Sequence, residues 1–266
     1  MGVMGVAIAT DISQLISGAL ILVSLTKTKG AYAIKWKEMG IDWKLLKQIF
    51  TVGMPAGIQQ AVTSFSNVFV QSYINAFGSS VMAGWTSYTK LDIFIIIPVQ
   101  SIAMASTTFV GQNYGARKIK RLRKGVNTAM GSSIIITAIL AVLVIIFRNT
   151  LLKMFTTDSE VLFYGSTFIL WISPFYALTC MNQIYAGALR GVGKATVPMV
   201  IMLACFVAFR QIYLLINAKL GGGYISMALG YPAGWLLCSA SMTIFYFRFM
   251  NKFEKQFDEA SKEMDN

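Results

Sequence analysis

The chain has 266 residues, of which 56% are hydrophobic and only 13% are charged. Soluble domains carry about a quarter charged residues, so this composition excludes an ordinary water-facing surface. The formal net charge is +12, but the cations lie in short segments between apolar runs, which argues against a nucleic acid as partner. The absence of histidine excludes Ser-His-Asp catalysis and imidazole metal sites, and the three cysteines lie singly within apolar runs.

Apolar runs of about 20 residues, the length that crosses ~30 Å of hydrocarbon, recur along the whole chain. They predict an all-α, polytopic membrane helix bundle with seven transmembrane helices. An amphipathic segment at 42–50 (DWKLLKQIF) is expected to lie at the membrane interface, and Asp158 is expected to cap the fifth span. The predicted spans cover residues 2–25, 49–77, 81–109, 128–147, 161–189, 196–216 and 225–247.

Lysine and arginine are distributed unequally between the two sides of the predicted bundle. Eighteen lie in 27–48, 117–124, 190–194 and the tail after 247, whereas three lie in the alternate connections. The positive-inside rule places the first set in the cytoplasm. We therefore expect a multi-pass protein of the cell membrane with a cytoplasmic C-terminus. The first helix then runs from outside to inside, and this direction with an odd span count predicts that further helices precede residue 1.

All five prolines lie within or at the edge of a predicted span. Proline in a span frees a carbonyl group and permits a bend, which transporters use to line cavities and to move, although membrane helices also tolerate proline without such a role. Glycine pairs at four-residue spacing allow helices to approach closely. These pairs are 53/57, 187/191 and 230/234.

The second predicted span carries a stripe of hydrogen-bonding side chains. Steps of four, three, four and four residues place them on one helix face, where they line a water-filled path or form a polar seam with a neighbouring helix. We favour the path, because the stripe is long. Its members are Gln60, Ser64, Asn67, Gln71 and Asn75.

Four ionisable residues lie within the predicted spans, namely Asp11, Lys90, Asp92 and Arg210. Such groups cost about 2.5–3.5 kcal/mol each at membrane depth and are usually functional. Lys90 and Asp92 point to different faces of their helix, so we predict cross-helix pairs of Asp92 with Arg210 or of Asp11 with Lys90. Alternatively, Asp11 and Lys90 lie near enough to the outer surface to reach water.

Asp92 is the first candidate for binding a coupling ion, and Asp11 is the second. A carboxylate in a water-filled cavity of low dielectric can hold a proton or a sodium ion and release it when access to the cavity changes. Lys90 and Arg210 are the candidate charge partners. This chemistry is that of an ion-coupled transporter.

Several short motifs follow one another in a defined order. As a set they make nearly the whole chain similar to the C-terminal part of a prokaryotic-type multidrug and toxic compound extrusion (MATE) transporter. The motifs are Gly53-Met54-Pro55, 109–116 (FVGQNYGA), the basic segment 117–124, 151–158 (LLKMFTTD) and 187–194 (GALRGVGK).

The resemblance implies a fold of two helical lobes around a central cavity, and exchange of organic cations for sodium ions or protons by alternating access. It implies that 1–26 corresponds to the last helix of the N-lobe and 27–48 to a cytoplasmic basic loop with the amphipathic segment. Residues 49–247 would form the six-helix C-lobe, and 248–266 a cytoplasmic tail. The implied partners are small-molecule drugs, the lipid bilayer and a missing N-terminal lobe. No cofactor is implied besides the coupling ion.

The chain departs from the family pattern at the C-lobe cation site of some relatives. The position that is acidic there falls near Thr63, and 161–189 contains no acidic residue. We expect a drug exporter, with a lipid-linked oligosaccharide flippase of the same superfamily or a non-transporting fragment as alternatives. An integral membrane enzyme is disfavoured, because histidine is absent and acidic residues are scarce at membrane depth.

Overall fold

A computed structural model describes residues 2–28, 30, 33–36 and 39–265, and the regular elements in this part are helical. Lys29 and Lys37 of the basic loop and Asn266 of the tail lie outside the described residues. A 3₁₀ turn, Ser173–Phe175, joins α5 to α6, and a π-helical segment, Ala204–Phe209, joins α7 to α8. The α-helices are α1 Gly2–Lys27, α2 Trp43–Asn75, α3 Ser79–Gly115, α4 Ile119–Leu152, α5 Ser159–Ile172, α6 Tyr176–Gly191, α7 Thr196–Leu203, α8 Arg210–Lys219, α9 Tyr224–Ala228 and α10 Gly230–Asp265.

The chain divides into two compact units, Met1–Lys47 and Gln48–Asn266. In the first unit, α1 exposes most of its described side chains. The Asp42 carboxylate accepts hydrogen bonds from the backbone N–H groups of Lys44 (2.8 Å) and Leu45 (3.2 Å), which is the geometry of a helix N-cap. The amphipathic segment therefore forms the N-cap and the first turns of α2, and its location at the membrane interface stays a prediction.

In the second unit, α3 is the central helix and packs against α4, α5 and α6, while α10 packs against α6. Two clusters of buried side chains hold these helices together. One contains the aromatic residues Trp85, Phe168 and Tyr176. The other contains aliphatic residues such as Leu122 and Leu189. Helix α5 begins as predicted, with the Asp158 carboxylate accepting from the N–H groups of the first turn.

Six helical segments in the described part are long and apolar enough to cross a membrane, and they correspond to six of the seven predicted spans. The remaining span, 49–77, lies in α2, which has 33 residues and is therefore about 50 Å long. It is not among the six because its polar stripe lowers its hydropathy. The prediction of an all-α, polytopic bundle is confirmed. The six segments are Ala7–Lys27, Ser79–Gly115, Ile119–Leu152, Ser159–Gly191, Thr196–Lys219 and Tyr224–Glu254.

Two of the five prolines lie at an interruption of a predicted span, and one of them is Pro232, in the first turn of α10 just after the break that follows α9. Pro174 is in the 3₁₀ turn that divides the fifth predicted span into α5 and α6. Pro55 and Pro98 lie inside the uninterrupted helices α2 and α3, and Pro198 lies in the first turn of α7. The sixth span is instead interrupted by the π-helical segment, which contains no proline.

The glycine pair 187/191 produces the close helix approach that its spacing predicted. A Cβ atom on Gly187 would lie 2.8 Å from the carbonyl oxygen of Ala103, so α6 contacts the backbone of α3 directly. At Gly230 and Gly234 an added Cβ would also meet neighbouring atoms, whereas at Gly53 and Gly57 it would meet none within 4 Å among the described residues.

Candidate functional site

Asp92 lies in the middle of α3 and is the only acidic residue between positions 49 and 157. Its Oδ1 atom accepts hydrogen bonds from the hydroxyl of Tyr88, at 3.3 Å, and from the hydroxyl of Tyr176. The two hydroxyl oxygens are 3.1 Å apart, so three oxygen atoms lie within hydrogen-bond distance of one another and form a closed ring of contacts. Tyr88 is one helical turn before Asp92, and Tyr176 is the first residue of α6. The 3₁₀ turn thus sets the position of the second hydroxyl.

Aromatic side chains surround this ring, which we call the acid–tyrosine ring. The Trp85 ring centroid lies 5.1 Å from that of Tyr88 and 5.1 Å from that of Phe168. On the other side, the Trp235 ring lies 5.8 Å from that of Tyr176. The two tyrosine hydroxyls thus donate to a carboxylate that lies among aromatic rings.

Arg210 lies where the π-helical segment passes into α8, and only 4% of it is exposed. Its Nη2 atom donates to the Ser66 hydroxyl at 2.9 Å and to the Asn67 side-chain oxygen at 2.8 Å. The guanidinium carbon lies 4.7 Å from the Tyr231 ring centroid, a cation–π distance. Gln211 also donates to Ser66, so α8 holds α2 by several hydrogen bonds. π-Helical segments are frequent at functional sites.

The predicted ion pair of Asp92 with Arg210 does not form in the part of the chain that the structure describes. Each charged group has neutral hydrogen-bond partners instead, and the Tyr231 ring lies between Arg210 and the aromatic residues around Asp92. The Tyr231 ring contacts Arg210 on one side and lies 5.4 Å from the Trp85 ring on the other. Aromatic packing therefore separates the two charges that the sequence suggested would meet.

The other predicted charges lie apart from the acid–tyrosine ring. Lys90 is exposed, and its Nζ atom lies 5.2 Å from the centroid of the Phe155 ring. Asp11 belongs to the first unit and is exposed on α1. The alternative pair of Asp11 with Lys90 would join the two units, and it stays a prediction.

The polar stripe of α2 is largely exposed in the second unit. The face beside it, with Ser66, Val70 and Ile74, is buried. Four stripe residues are exposed and the fifth is half-buried, and two of them bond to each other, Gln71 Nε2 donating to Asn75 Oδ1 at 2.8 Å. The proposed lining of a water-filled path stays a prediction. The exposed members are Gln60, Ser64, Asn67 and Asn75.

A polar cavity of about 310 Å³ lies between α2, α3 and α6, and Gln60 of the predicted stripe is among its lining residues. Arg190 donates to Gln59 Oε1 at 3.2 Å, and Gln59 Nε2 donates to the Met202 sulfur. The Arg190 Nε atom is buried and has no hydrogen-bond partner among the described residues. The feature of the sequence that could have indicated this cavity is the presence of glutamine in three apolar spans. The other polar lining residues are Gln60, Gln100, Thr107 and Gln183.

This cavity presents donors from a guanidinium and from several amides, so it can bind an anionic or strongly polar group. From the sequence, Arg190 is predicted only as a cation of a cytoplasmic loop. In the structure it is the penultimate residue of α6, and it turns toward α2. The residues of the described ranges contain no cluster of three or more His, Cys, Asp or Glu side chains that could hold a metal ion.

A family model described as MatE matches residues 55–213, which is more than half of the chain. The chain belongs to the MatE family. The matched region contains the acid–tyrosine ring, Arg190 and Arg210. The expectation about the family is confirmed, and MatE family members are transporters and not enzymes.

Two curated relatives show how much of a longer protein this chain matches. Probable multidrug resistance protein YpnP from Bacillus subtilis is 28% identical over 94% of this chain and 55% of the relative. The FAD transporter from Shewanella oneidensis is 24% identical over 86% of this chain and 49% of the relative. The chain spans about half the length of the curated relatives that it matches.

A solved structure supports the same fold. It is described as the outward-facing conformation of a multidrug resistance MATE family transporter of the MOP superfamily. It matches with a TM-score of 0.85 at 19% identity, over 96% of this chain and 58% of that protein. At this identity the match establishes the MATE fold alone, and it agrees with the prediction that the chain corresponds to a C-terminal half.

Proposed function

We propose that this chain is part of a secondary active transporter that exports cationic or amphipathic organic compounds in exchange for protons or sodium ions. In this proposal a further N-terminal lobe completes the cavity, and the basic connections and the C-terminus lie in the cytoplasm. MatE membership and the names of the multidrug resistance relatives support this class. The observation that carries the proposal is the acid–tyrosine ring, a carboxylate in an aromatic environment within a membrane span.

The number of hydrogen atoms available to the three oxygen atoms of the acid–tyrosine ring favours the proton as coupling ion. Three oxygen–oxygen contacts join Asp92, Tyr88 and Tyr176. When Asp92 is ionised, the two hydroxyls supply hydrogens for only two of these contacts. A proton on Asp92 supplies the third, so the ring can accept a proton without moving a side chain. Sodium is the alternative, and the experiment below separates the two.

The exposed surface of α2 suits a cationic amphipathic substrate. Phe65 is 64% exposed, and its ring meets that of Phe69 edge to face at 5.3 Å. Aromatic faces attract organic cations, and flexible methionine side chains such as Met54 adapt to different shapes. The polar stripe beside them offers hydrogen bonds without charge.

A second candidate function, transport of an anionic compound, is favoured by the polar cavity at Arg190. Its guanidinium and amides match a carboxylate or phosphate group. The relative named FAD transporter suggests one such substrate. A lipid-linked oligosaccharide flippase belongs to the same class, because its pyrophosphate is anionic. We rank this function second, since the Nη2 atom of Arg210, the buried cation of α8, already donates to Ser66 and Asn67.

The test uses the complete protein in proteoliposomes, with a proton gradient or a sodium gradient imposed separately. We expect ethidium transport under the proton gradient in the wild type and a loss to background in Asp92→Asn. Glu160→Gln is the matched control, because Glu160 is exposed and its carboxylate accepts a hydrogen bond from Ser80, away from the acid–tyrosine ring. Wild-type transport by Asp92→Asn would refute the role of the ring, and transport driven only by sodium would refute the proton.

The same vesicles separate the two substrate classes. If the protein exports cations, ethidium is transported and FAD is not. If it exports anions, FAD is transported, and Arg190→Gln lowers this transport while leaving the ethidium background unchanged. Absence of ethidium transport by the wild-type protein would overturn the first function.

A further inference from the structure

A groove of about 550 Å³ lies between α3 and α4. Its lining residues are not among those that would bind the substrate or the coupling ion in the proposed function. Its walls are apolar and include Ala105 and Phe109 of α3 and Ala129 of α4. One polar atom is buried in the wall. Ser106 is 5% exposed, and its hydroxyl has no hydrogen-bond partner in the described part of the chain.

Two cations lie at one end of this groove. The Arg121 guanidinium carbon is 5.8 Å from the Phe109 ring centroid, and Lys124 lies one turn further along α4. The nearby carboxylate, Glu254, pairs with Arg123 at 3.0 Å. Among the described residues neither Arg121 nor Lys124 forms an ion pair, so both are available to an anion.

The groove faces away from the polar cavity at Arg190. Ala103 and Thr107 of α3 line that cavity, whereas Ala105 and Phe109 line the groove. A shift of two residues along a helix is a rotation of about 200°, so the two sets lie on nearly opposite faces of α3. A ligand in the groove is therefore separate from a substrate in the cavity.

One face of α4 continues from the groove across the membrane. Steps of three or four residues connect Arg121, Lys124, Thr128 and Ser132 to the exposed apolar residues that follow. The whole stripe is about 38 Å long, close to the thickness of a bilayer from one headgroup region through the hydrocarbon core. Its apolar members are Ile135, Ile139, Val142 and Ile146, which are 62%, 55%, 53% and 63% exposed.

We propose that this groove binds one anionic phospholipid of the surrounding bilayer. Arg121 and Lys124 would contact its phosphate, and the Ser106 hydroxyl would donate to an ester oxygen. An acyl chain, which spans one leaflet of about 15 Å, would follow the groove and reach only the beginning of the apolar stripe of α4. Two cations at one end of an apolar groove match the phosphate and the acyl chains of such a lipid. Basic pockets between transmembrane helices are known to bind anionic headgroups.

Native mass spectrometry of the purified complete protein, titrated with dioleoyl phosphatidylglycerol or dioleoyl phosphatidylcholine, tests this proposal. We expect the wild type to bind phosphatidylglycerol at least tenfold more tightly. The double variant Arg121→Ala/Lys124→Ala should bind phosphatidylglycerol about thirtyfold more weakly, from the attraction of two cations near a lipid surface. Its binding of phosphatidylcholine, whose choline offsets the charge of the phosphate, should fall by much less.

Two further variants locate the effect in the groove. Lys118→Ala/Lys194→Ala removes the same charge from exposed residues outside the groove and should keep wild-type affinity. Ala105→Trp keeps both cations but fills the groove, and should lower phosphatidylglycerol binding. Equal affinity for the two lipids, equal loss in the two double variants, or unchanged binding by Ala105→Trp would each overturn the proposal.

Discussion

Tyr176 donates a hydrogen bond to the Asp92 carboxylate from a position 84 residues further along the chain. The same oxygen accepts from Tyr88, one turn away in α3. Because Tyr176 is the first residue of α6, its hydroxyl reaches Asp92 only if the 3₁₀ turn ends where it does. The close contact of Gly187 with Ala103 fixes the same pair of helices nearer their other end. The candidate site therefore depends on how α6 begins and on how it packs.

Tyr176→Phe tests whether the hydroxyl contributes to coupling. The phenylalanine ring can keep the contact with Trp235, while the hydrogen bond to Asp92 is lost. A hydrogen bond to a charged group contributes about 1.5–3 kcal/mol, so we expect proton-driven ethidium transport to fall roughly tenfold or more. The measurement is the initial transport rate in proteoliposomes at equal protein content.

Tyr185→Phe is the matched control for this change. Tyr185 is also buried in α6, but its ring stacks on Tyr246 at 4.6 Å and it takes no part in the acid–tyrosine ring. We expect it to transport at the wild-type rate. Equal rates in both variants would remove Tyr176 from the coupling mechanism.

Arg210→Met tests whether α8 holds α2 in place. The substitution removes the hydrogen bonds to Ser66 and Asn67 but keeps a long side chain beside Tyr231. We expect the free energy of unfolding to fall by about 1–2 kcal/mol. We also expect faster maleimide labelling of a cysteine introduced at Val70, which is buried on the facing side of α2.

The three native cysteines are buried, so their background labelling should be low. Lys219→Met provides the control, because it removes one positive charge from an exposed position at the end of α8. Labelling at position 70 that is the same in both variants would show that Arg210 does not anchor α2.

Gly187→Ala tests the close approach of α6 to α3. The new Cβ atom would lie 2.8 Å from the Ala103 carbonyl oxygen, and this backbone atom cannot move without shifting α3. We expect a loss of about 1–3 kcal/mol in the free energy of unfolding. Thermal unfolding of the purified protein measures it.

Gly53→Ala is the comparison for this prediction, since nothing in the described chain lies within 4 Å of an added Cβ at Gly53. Alanine is favoured over glycine inside a helix by about 0.5–1 kcal/mol, so this variant should be as stable as the wild type or more so. Destabilisation by Gly53→Ala as large as by Gly187→Ala would contradict the specific contact.

Several features of the fold could be predicted because they depend on short stretches of sequence. The spans follow from the length of apolar runs, and the cap at Asp158 from the turn before it. The polar stripe of α2 follows from helical periodicity, since residues three or four apart share a face. The interruption of the sixth span could not be predicted in this way, because the π-helical segment Ala204–Phe209 contains neither proline nor glycine.

The sequence by itself determined that this protein is an α-helical membrane protein, where most of its spans lie, and to which family it belongs. These properties follow from composition, periodicity and the order of motifs. Only the tertiary structure decided that Asp92 bonds to Tyr88 and Tyr176, that Arg210 bonds to α2, and that Arg190 lines a cavity. The reason is physical: partners on different helices depend on the depth and rotation of each helix. The depth and the rotation of a helix are set by packing contacts, such as that of Gly187 with α3, and by breaks in the helical repeat.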